Sequence, residues 1–210
     1  MTQRQRALKI IELFAEMYPD ADCSLNYTDP LQLMIATQLA AQCTDVRVNI
    51  VTKDLFNKYK TVDDFANAKQ EELETDIKST GFYHNKARNI IAACKMLIND
   101  FGKNVPSNMD DLLKLPGVGR KTANLILNDY FGIPGIVVDT HAKRLSNRIG
   151  LTDKDDPEKI EYDLMKVVPI EDWGRFCHQL VFHGRAICKA RKPRCNECLI
   201  RLYCEYGRKA

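Results

Sequence analysis

Cys188, Cys195, Cys198 and Cys204 stand in the pattern C-x6-C-x2-C-x5-C. Four thiolates within 17 residues can wrap one metal centre, and such soft donors suit iron–sulfur clusters or zinc. Structural zinc more often uses two C-x2-C pairs well apart in sequence. This chain has one close pair flanked by single cysteines, a spacing that favours a cubane cluster over zinc. Between the first two cysteines runs Lys189-Ala190-Arg191-Lys192-Pro193-Arg194, a basic loop pinned between ligands and suited to a polyanionic partner.

A second cluster of chemistry lies upstream. Residues 115–123 read Leu-Pro-Gly-Val-Gly-Arg-Lys-Thr-Ala, two glycines between a short helix and a longer one. Pro116 ends the first helix, and Gly117 and Gly119 permit positive φ and close approach of another backbone. The amides from Gly117 to Lys121, Val118 and Arg120 among them, then open a helix and form a phosphate site. A nucleotide P-loop is excluded: Arg120 separates Gly119 from Lys121, and helices rather than a strand flank the turn. The pattern predicts a helix–hairpin–helix that grips a nucleic-acid backbone without reading bases. Past the next helix, Ile136-Val137-Val138 are expected to be extended and to return Asp139 to the end that carries Lys121. Taken singly, Asp139 reads as a helix N-cap and Lys121 as a phosphate contact. As a pair they suit chemistry at a sugar. A partly desolvated lysine can attack an anomeric carbon, and a carboxylate can stabilise an oxocarbenium-like sugar. Cleavage of an N-glycosidic bond through a Schiff base at C1′ would result, then β-elimination of the 3′ phosphate. The base must leave the stack first.

The elements that position these residues are helical. Apolar residues recur at helical spacing over 4–17, 31–39, 45–59, 61–68, 70–78, 86–101, 110–115, 122–131, 140–149, 157–167 and 172–187, with Pro and Gly between them. The fold class is all-α. Asp29-Pro30 opens a helix that is apolar nearly all round and therefore central to a core. With 45% hydrophobic and 28% charged residues, the 210-residue chain reads as an ordinary soluble globular protein. The net charge is only +3, but Gly184 to Ala210 carries eight basic residues against two acids. Cys23, Cys43, Cys94 and Cys177 read as small buried hydrophobes. The N-terminus has no apolar leader and no run approaches a membrane span, so a reducing cytoplasm, no membrane contact and a monomer are the expectations.

The residues 115–124, Val-Asp-Thr-His at 138–141, Gln-Leu-Ala-Ala-Gln-Cys-Thr-Asp at 38–45 and the four-cysteine pattern resemble the endonuclease III family of bacterial helix–hairpin–helix DNA glycosylases, over nearly the whole length. The resemblance implies a [4Fe-4S] cluster on Cys188, Cys195, Cys198 and Cys204, and removal of oxidised pyrimidines from double-stranded DNA with damaged bases or abasic sites. It implies two lobes with DNA in a cleft between them: a six-helix domain over 22–132, and a cluster domain joining 1–21 to 133–210. Lys121 would be the nucleophile and Asp139 the essential carboxylate. Gln42 would enter the gap left by the flipped nucleotide, and Lys189, Arg191, Lys192 and Arg194 would contact phosphates. Where the family usually has Ser and Ala beside that glutamine, this chain has Ala40 and Cys43. The rival readings are a monofunctional or mismatch glycosylase of the same superfamily and a non-catalytic hairpin module. Lys121 argues against a mismatch adenine glycosylase, and the Lys121 and Asp139 pair argues against a non-catalytic module.

Overall fold

The computed structural model describes residues 1–210. Its helices are α1 Gln3–Met17, α2 Pro30–Leu39, α3 Asp45–Lys58, α4 Val62–Ala66, α5 Gln70–Ile77, α6 Tyr83–Asp100, α7 Met109–Leu112, α8 Arg120–Asp129, α9 Thr140–Ile149, α10 Pro157–Val167, α11 Trp173–Ala186 and α12 Glu205–Lys209. No β-strand forms, and the chain is all-α as its periodicity predicts. It divides into two compact units, Cys23–Ile133 and Met1–Asp22 with Pro134–Ala210.

In the unit Cys23–Ile133, α2 is the core helix. Asp29 caps it, Oδ1 accepting from the Gln32 amide at 2.9 Å, and Pro30 presets the first turn. Every residue from Leu33 to Leu39 is buried, because α3, α6 and α8 pack around it. They contribute Val48 and Leu55, Ile90 and Leu97, and Ala123 and Ile126 respectively. Full burial of such a side chain contributes about 1.5–3 kcal/mol. A helix apolar on all sides is stable only where neighbours cover all sides, which is why α2 sits in the middle.

In the other unit α1 packs on α10 and α11. Phe14 of α1 lies 6.1 Å from Phe176 of α11, ring centroid to centroid. Arg6 joins the first helix to the last: its Nη1 donates to the Gly150 carbonyl at 2.8 Å and pairs with Glu205 at 2.7 Å.

Some local features lie beyond the expectations. Ile136, Val137 and Val138, expected to be extended, form a non-helical buried connector, and the Val137 amide donates to Cys177 Sγ at 3.3 Å. Their β-branching suits burial, but no second extended segment pairs with them. Cys94 and Cys177 are buried as expected, whereas Cys23 and Cys43 are half-buried, since both lie on loops flanking α2. A short helix, α12, follows the last of the four cysteines.

Candidate functional site

The segment 113–119 connects α7 to α8. Leu115 and Val118 are both buried in the core of their unit, which anchors the hairpin from beneath. The Val118 amide donates to the Leu115 carbonyl at 3.1 Å, so it closes the turn and is not offered outward. Gly117 has φ +78, and a Cβ there would lie 2.8 Å from Gln38 Oε1 and 3.0 Å from Asn89 Cβ. Only glycine satisfies both the backbone and the space. Gly119 differs from expectation. Its φ of −101 and ψ of 177 are ordinary extended backbone, and nothing lies within 4 Å of a built Cβ. What Gly119 supplies is bare backbone facing open space. It also stands at the N-cap of α8, where it has no side chain to cap the first turn. Lys121, second residue of α8, is exposed rather than partly desolvated.

Two buried polar side chains organise the surroundings of the α2 C-terminus. Gln38 is 5% exposed, and its Nε2 donates to the Pro116 carbonyl at 3.4 Å. Lys86 of α6 is 6% exposed, and its Nζ donates to the Leu39 carbonyl at 2.7 Å and the Thr80 carbonyl at 2.9 Å. Burial pushes the Lys86 ammonium below its ordinary value. Beyond Leu39 the chain reaches Gln42, exposed and at φ 55. Beyond Thr80 it reaches Gly81 at φ 70 and Phe82 at φ 50, a residue 61% exposed. Left-handed backbone at a non-glycine residue costs about 1–3 kcal/mol and concentrates at functional sites. No local sequence pattern singles out Phe82 or Lys86. The one signal beside them is Gly81, which by itself marks only a helix stop.

Asp139 belongs to the other unit. It is the N-cap of α9, and its Oδ1 accepts from the Ala142 amide at 2.7 Å. The cap fixes the half-buried carboxyl at the helix start and engages one oxygen. Further along α9, His141 and Arg144 are 3.1 Å apart and pack on Gly184, where a Cβ would collide with the imidazole. The Arg144 guanidinium donates to the Cys188 carbonyl at 3.0 Å. Arg148 donates to Cys188 Sγ at 3.3 Å, to the Lys189 carbonyl at 2.8 Å and to the Ala190 carbonyl at 2.9 Å. His141 thus faces α11 and the cysteine segment.

Cys188, Cys195, Cys198 and Cys204 are all free thiols and line one cavity of about 350 Å³, part of it open to solvent. Leu145, Ile149, Ile187 and Ile200 supply apolar walls. The Gly207 amide donates to Cys204 Sγ at 3.3 Å, and backbone amides at Ile200 and Tyr206 serve Cys198 and Cys204. His183, fully buried, lies with Nε2 3.4 Å from Cys198 Sγ and Nδ1 2.9 Å from the Tyr18 hydroxyl. Burial holds this imidazole down to about 4 and pushes the Cys198 thiol up to about 11. Four sulfurs, three of them (Cys188, Cys198 and Cys204) with N–H donors, and apolar walls fit a thiolate-ligated metal group. No three His, Cys, Asp or Glu side chains converge on a single ion point; the cysteines are spread around the cavity wall.

The basic loop is not uniform. Lys189, Arg191 and Lys192 are exposed, with Lys192 at φ 52. Arg194 is already engaged, donating to the Ala186 carbonyl at 2.6 Å and pairing with Glu197 at 2.9 Å.

An all-helical chain with a glycine hairpin opening an uncapped helix, and four thiols around one cavity, defines a helix–hairpin–helix protein with a metal-type cysteine site. Residues 35–170 match the HhH-GPD superfamily of base excision DNA repair proteins. The endonuclease III of Synechocystis is 50% identical over 204 residues, 97% of this chain and 93% of that relative. The Bacillus subtilis endonuclease III is 48% identical over 200 residues, 95% of this chain and 91% of its own. A solved structure described as a trapped endonuclease III–DNA covalent intermediate, an estranged-adenine complex, superposes with a TM-score of 0.95 at 46% identity, covering 100% of this chain and 99% of that one. The chain belongs to the HhH-GPD superfamily of base excision DNA repair proteins and, within it, to the endonuclease III family.

Proposed function

We propose that this chain is a bifunctional DNA glycosylase and abasic-site lyase acting on oxidised pyrimidines in double-stranded DNA, with Lys121 as nucleophile. The single observation that carries the reading is the position of Lys121, exposed on the second residue of a helix whose N-cap is a glycine with no side chain to cover its start. An anionic phosphate bound at that helix start brings a deoxyribose beside the amine. Lys121 Nζ attacks C1′, and the N-glycosidic bond breaks with its electron pair leaving on the base, which takes up a proton. The Lys121 amine loses its proton and the sugar ring opens, giving an imine at C1′. The imine acidifies the 2′ carbon; loss of a 2′ proton expels the 3′ phosphate and cuts the strand. Asp139, held by its cap hydrogen bond, is assigned the carboxylate that stabilises positive charge on the sugar and accepts protons.

Around this centre Gln42 and Phe82 are assigned the gap left when the base is extruded, one offering an amide and the other an apolar face. Gly117, Gly119 and Arg120 belong to the hairpin's phosphate grip, and Val118 supports it from the core. Lys189, Arg191 and Lys192 are assigned further phosphates, while Arg194 holds the loop's shape. Cys188, Cys195, Cys198 and Cys204 would hold a [4Fe-4S] cluster, supported by the spread of four thiols around an apolar, N–H-lined cavity. When bound, that group supplies a rigid crosslink for a segment with little regular structure and no step of base removal. Every residue invoked comes from one chain, so a monomer suffices. Free thiols suit a reducing cytoplasm, and no helix is long and apolar enough to cross a membrane.

The test is borohydride trapping on duplex DNA carrying one thymine glycol. The expected result is a covalent protein–DNA adduct that disappears in Lys121→Ala while DNA binding persists. An adduct that survives the substitution reassigns the nucleophile. No adduct on this lesion or on an abasic site leaves a monofunctional glycosylase or a DNA-binding module.

A further inference from the structure

Lys86 is the least expected side chain in the unit Cys23–Ile133. It is 6% exposed, and no carboxylate is among its hydrogen-bond partners. Burying an ammonium without a counter-charge costs several kcal/mol unless carbonyls replace the lost water, and a hydrophobic residue of that volume would avoid the cost. The two acceptors are the carbonyl ends of two helical segments, Leu39 closing α2 and Thr80 closing the 3-10 turn Lys78–Thr80. A cation at a helix C-terminus is electrostatically favoured, and here one cation serves two.

Each of these carbonyls stands at the start of a strained turn. Three residues after Leu39 the backbone is left-handed at Gln42, and two after Thr80 it is left-handed at Phe82. Neither is glycine, so each turn holds a strained backbone and presents an exposed side chain. Such conformations persist only where the surroundings over-determine them. Capping hydrogen bonds from Lys86 do so for both turns at once, from beneath.

We infer that Lys86 is a positioning residue for base extrusion, acting through Gln42 and Phe82 by clamping the Leu39 and Thr80 carbonyls from which their turns depart. Lys86 touches neither DNA nor the reacting atoms. The inference rests on the glycosylase–lyase reading. It adds that this clamp matters where a duplex must be opened and refilled, and matters far less on a single strand, where no partner base is left behind.

The experiment measures the ratio of kcat/KM on duplex DNA with one thymine glycol to kcat/KM for strand cleavage at an abasic site in single-stranded DNA. Lys86→Met keeps the aliphatic stem and removes the donors; Lys86→Arg restores donors. The expected ratio falls by about 10- to 100-fold in Lys86→Met, the scale of a misplacement of roughly 1 Å, and recovers in Lys86→Arg. In a Gln42→Ala, Phe82→Ala background Lys86→Met should lower the ratio no further. An unchanged ratio, with both activities falling together or neither falling, makes Lys86 a support of the fold alone and overturns the inference. An equal further drop in the double background overturns it as well. Should Lys86→Met not fold, Lys86→Gln keeps one donor and is measured the same way; failure of both to fold assigns the residue to the core and ends the proposal. A wild-type protein lacking both activities would instead remove the reading on which it rests.

Discussion

Around the C-terminal end of α2, backbone and buried core do the holding. Leu115 and Val118 anchor the hairpin, Gly117 fits a gap no Cβ could enter, and two buried polar side chains tie the neighbouring turns to the same helix end. Between Cys188 and Cys204 the arrangement is reversed. Regular structure there is limited to the 3-10 turns Cys195–Glu197 and Arg201–Tyr203. Shape comes from two arginines in the cavity wall, Arg148 on the carbonyls of Lys189 and Ala190 and Arg194 on that of Ala186, beside the four thiols that line the same cavity. The first region is held by apolar burial together with the hydrogen bonds of Gln38 and Lys86. The second has little regular structure, and the metal group proposed for its four thiols would crosslink it while the loop stays basic and exposed.

The sharpest way to break this contrast is to remove one thiol. Cys198→Ser replaces a soft donor with a hard one; if the proposed cluster is held there, the variant should lack the blue absorption and iron of the wild type and become open to proteolysis between 188 and 204. Helix content of the unit Cys23–Ile133 should persist by circular dichroism. Simultaneous collapse of both regions would mean that the hairpin end is not self-supporting.

Gly117→Ala should fall next in size. It forces a Cβ into left-handed backbone against Gln38, whose Oε1 has no hydrogen-bond partner, and should cost about 1–3 kcal/mol of stability with weaker DNA binding. Urea unfolding and a binding titration read both; full stability would show that Gln38 swings aside freely. The smallest effect separates residues within the basic loop. Arg191→Ala with Lys192→Ala should leave stability unchanged and lower the salt-dependence slope of DNA binding by roughly one unit per lost phosphate contact. Arg194→Ala should do the opposite, lowering stability with little change in slope, because its guanidinium already serves Ala186 and Glu197. Equal slopes lost at Arg191 and Arg194 would erase the distinction.

Much of this was legible in the chain. Cysteine spacing, hairpin glycines, the Asp29-Pro30 start of α2 and the Asp139 cap are local devices, each decided by a few neighbouring residues, and helical periodicity is a property of 11–18-residue windows. The bounds Thr140–Ile149 and Pro157–Val167 were readable because each is capped by an aspartate and follows a clear apolar stripe. Other features depended on residues far away in sequence. Ile136–Val138 read as extended, but their burial and the Val137 amide's contact with Cys177, 40 positions later, are invisible locally. Gly117 and Gly119 look equivalent, yet only the first meets Gln38, a residue 79 positions earlier. Arg194 reads as one more phosphate contact until the Ala186 carbonyl is found beside it. Lys86 reads as a polar residue at the start of a helix, because nothing local reveals that two carbonyl ends will close over it. The sequence by itself determined element type, caps and the chemistry available to each side chain. Tertiary structure alone decided which polar groups are buried against which carbonyls, because burial is a property of the packed chain and not of its neighbours in sequence.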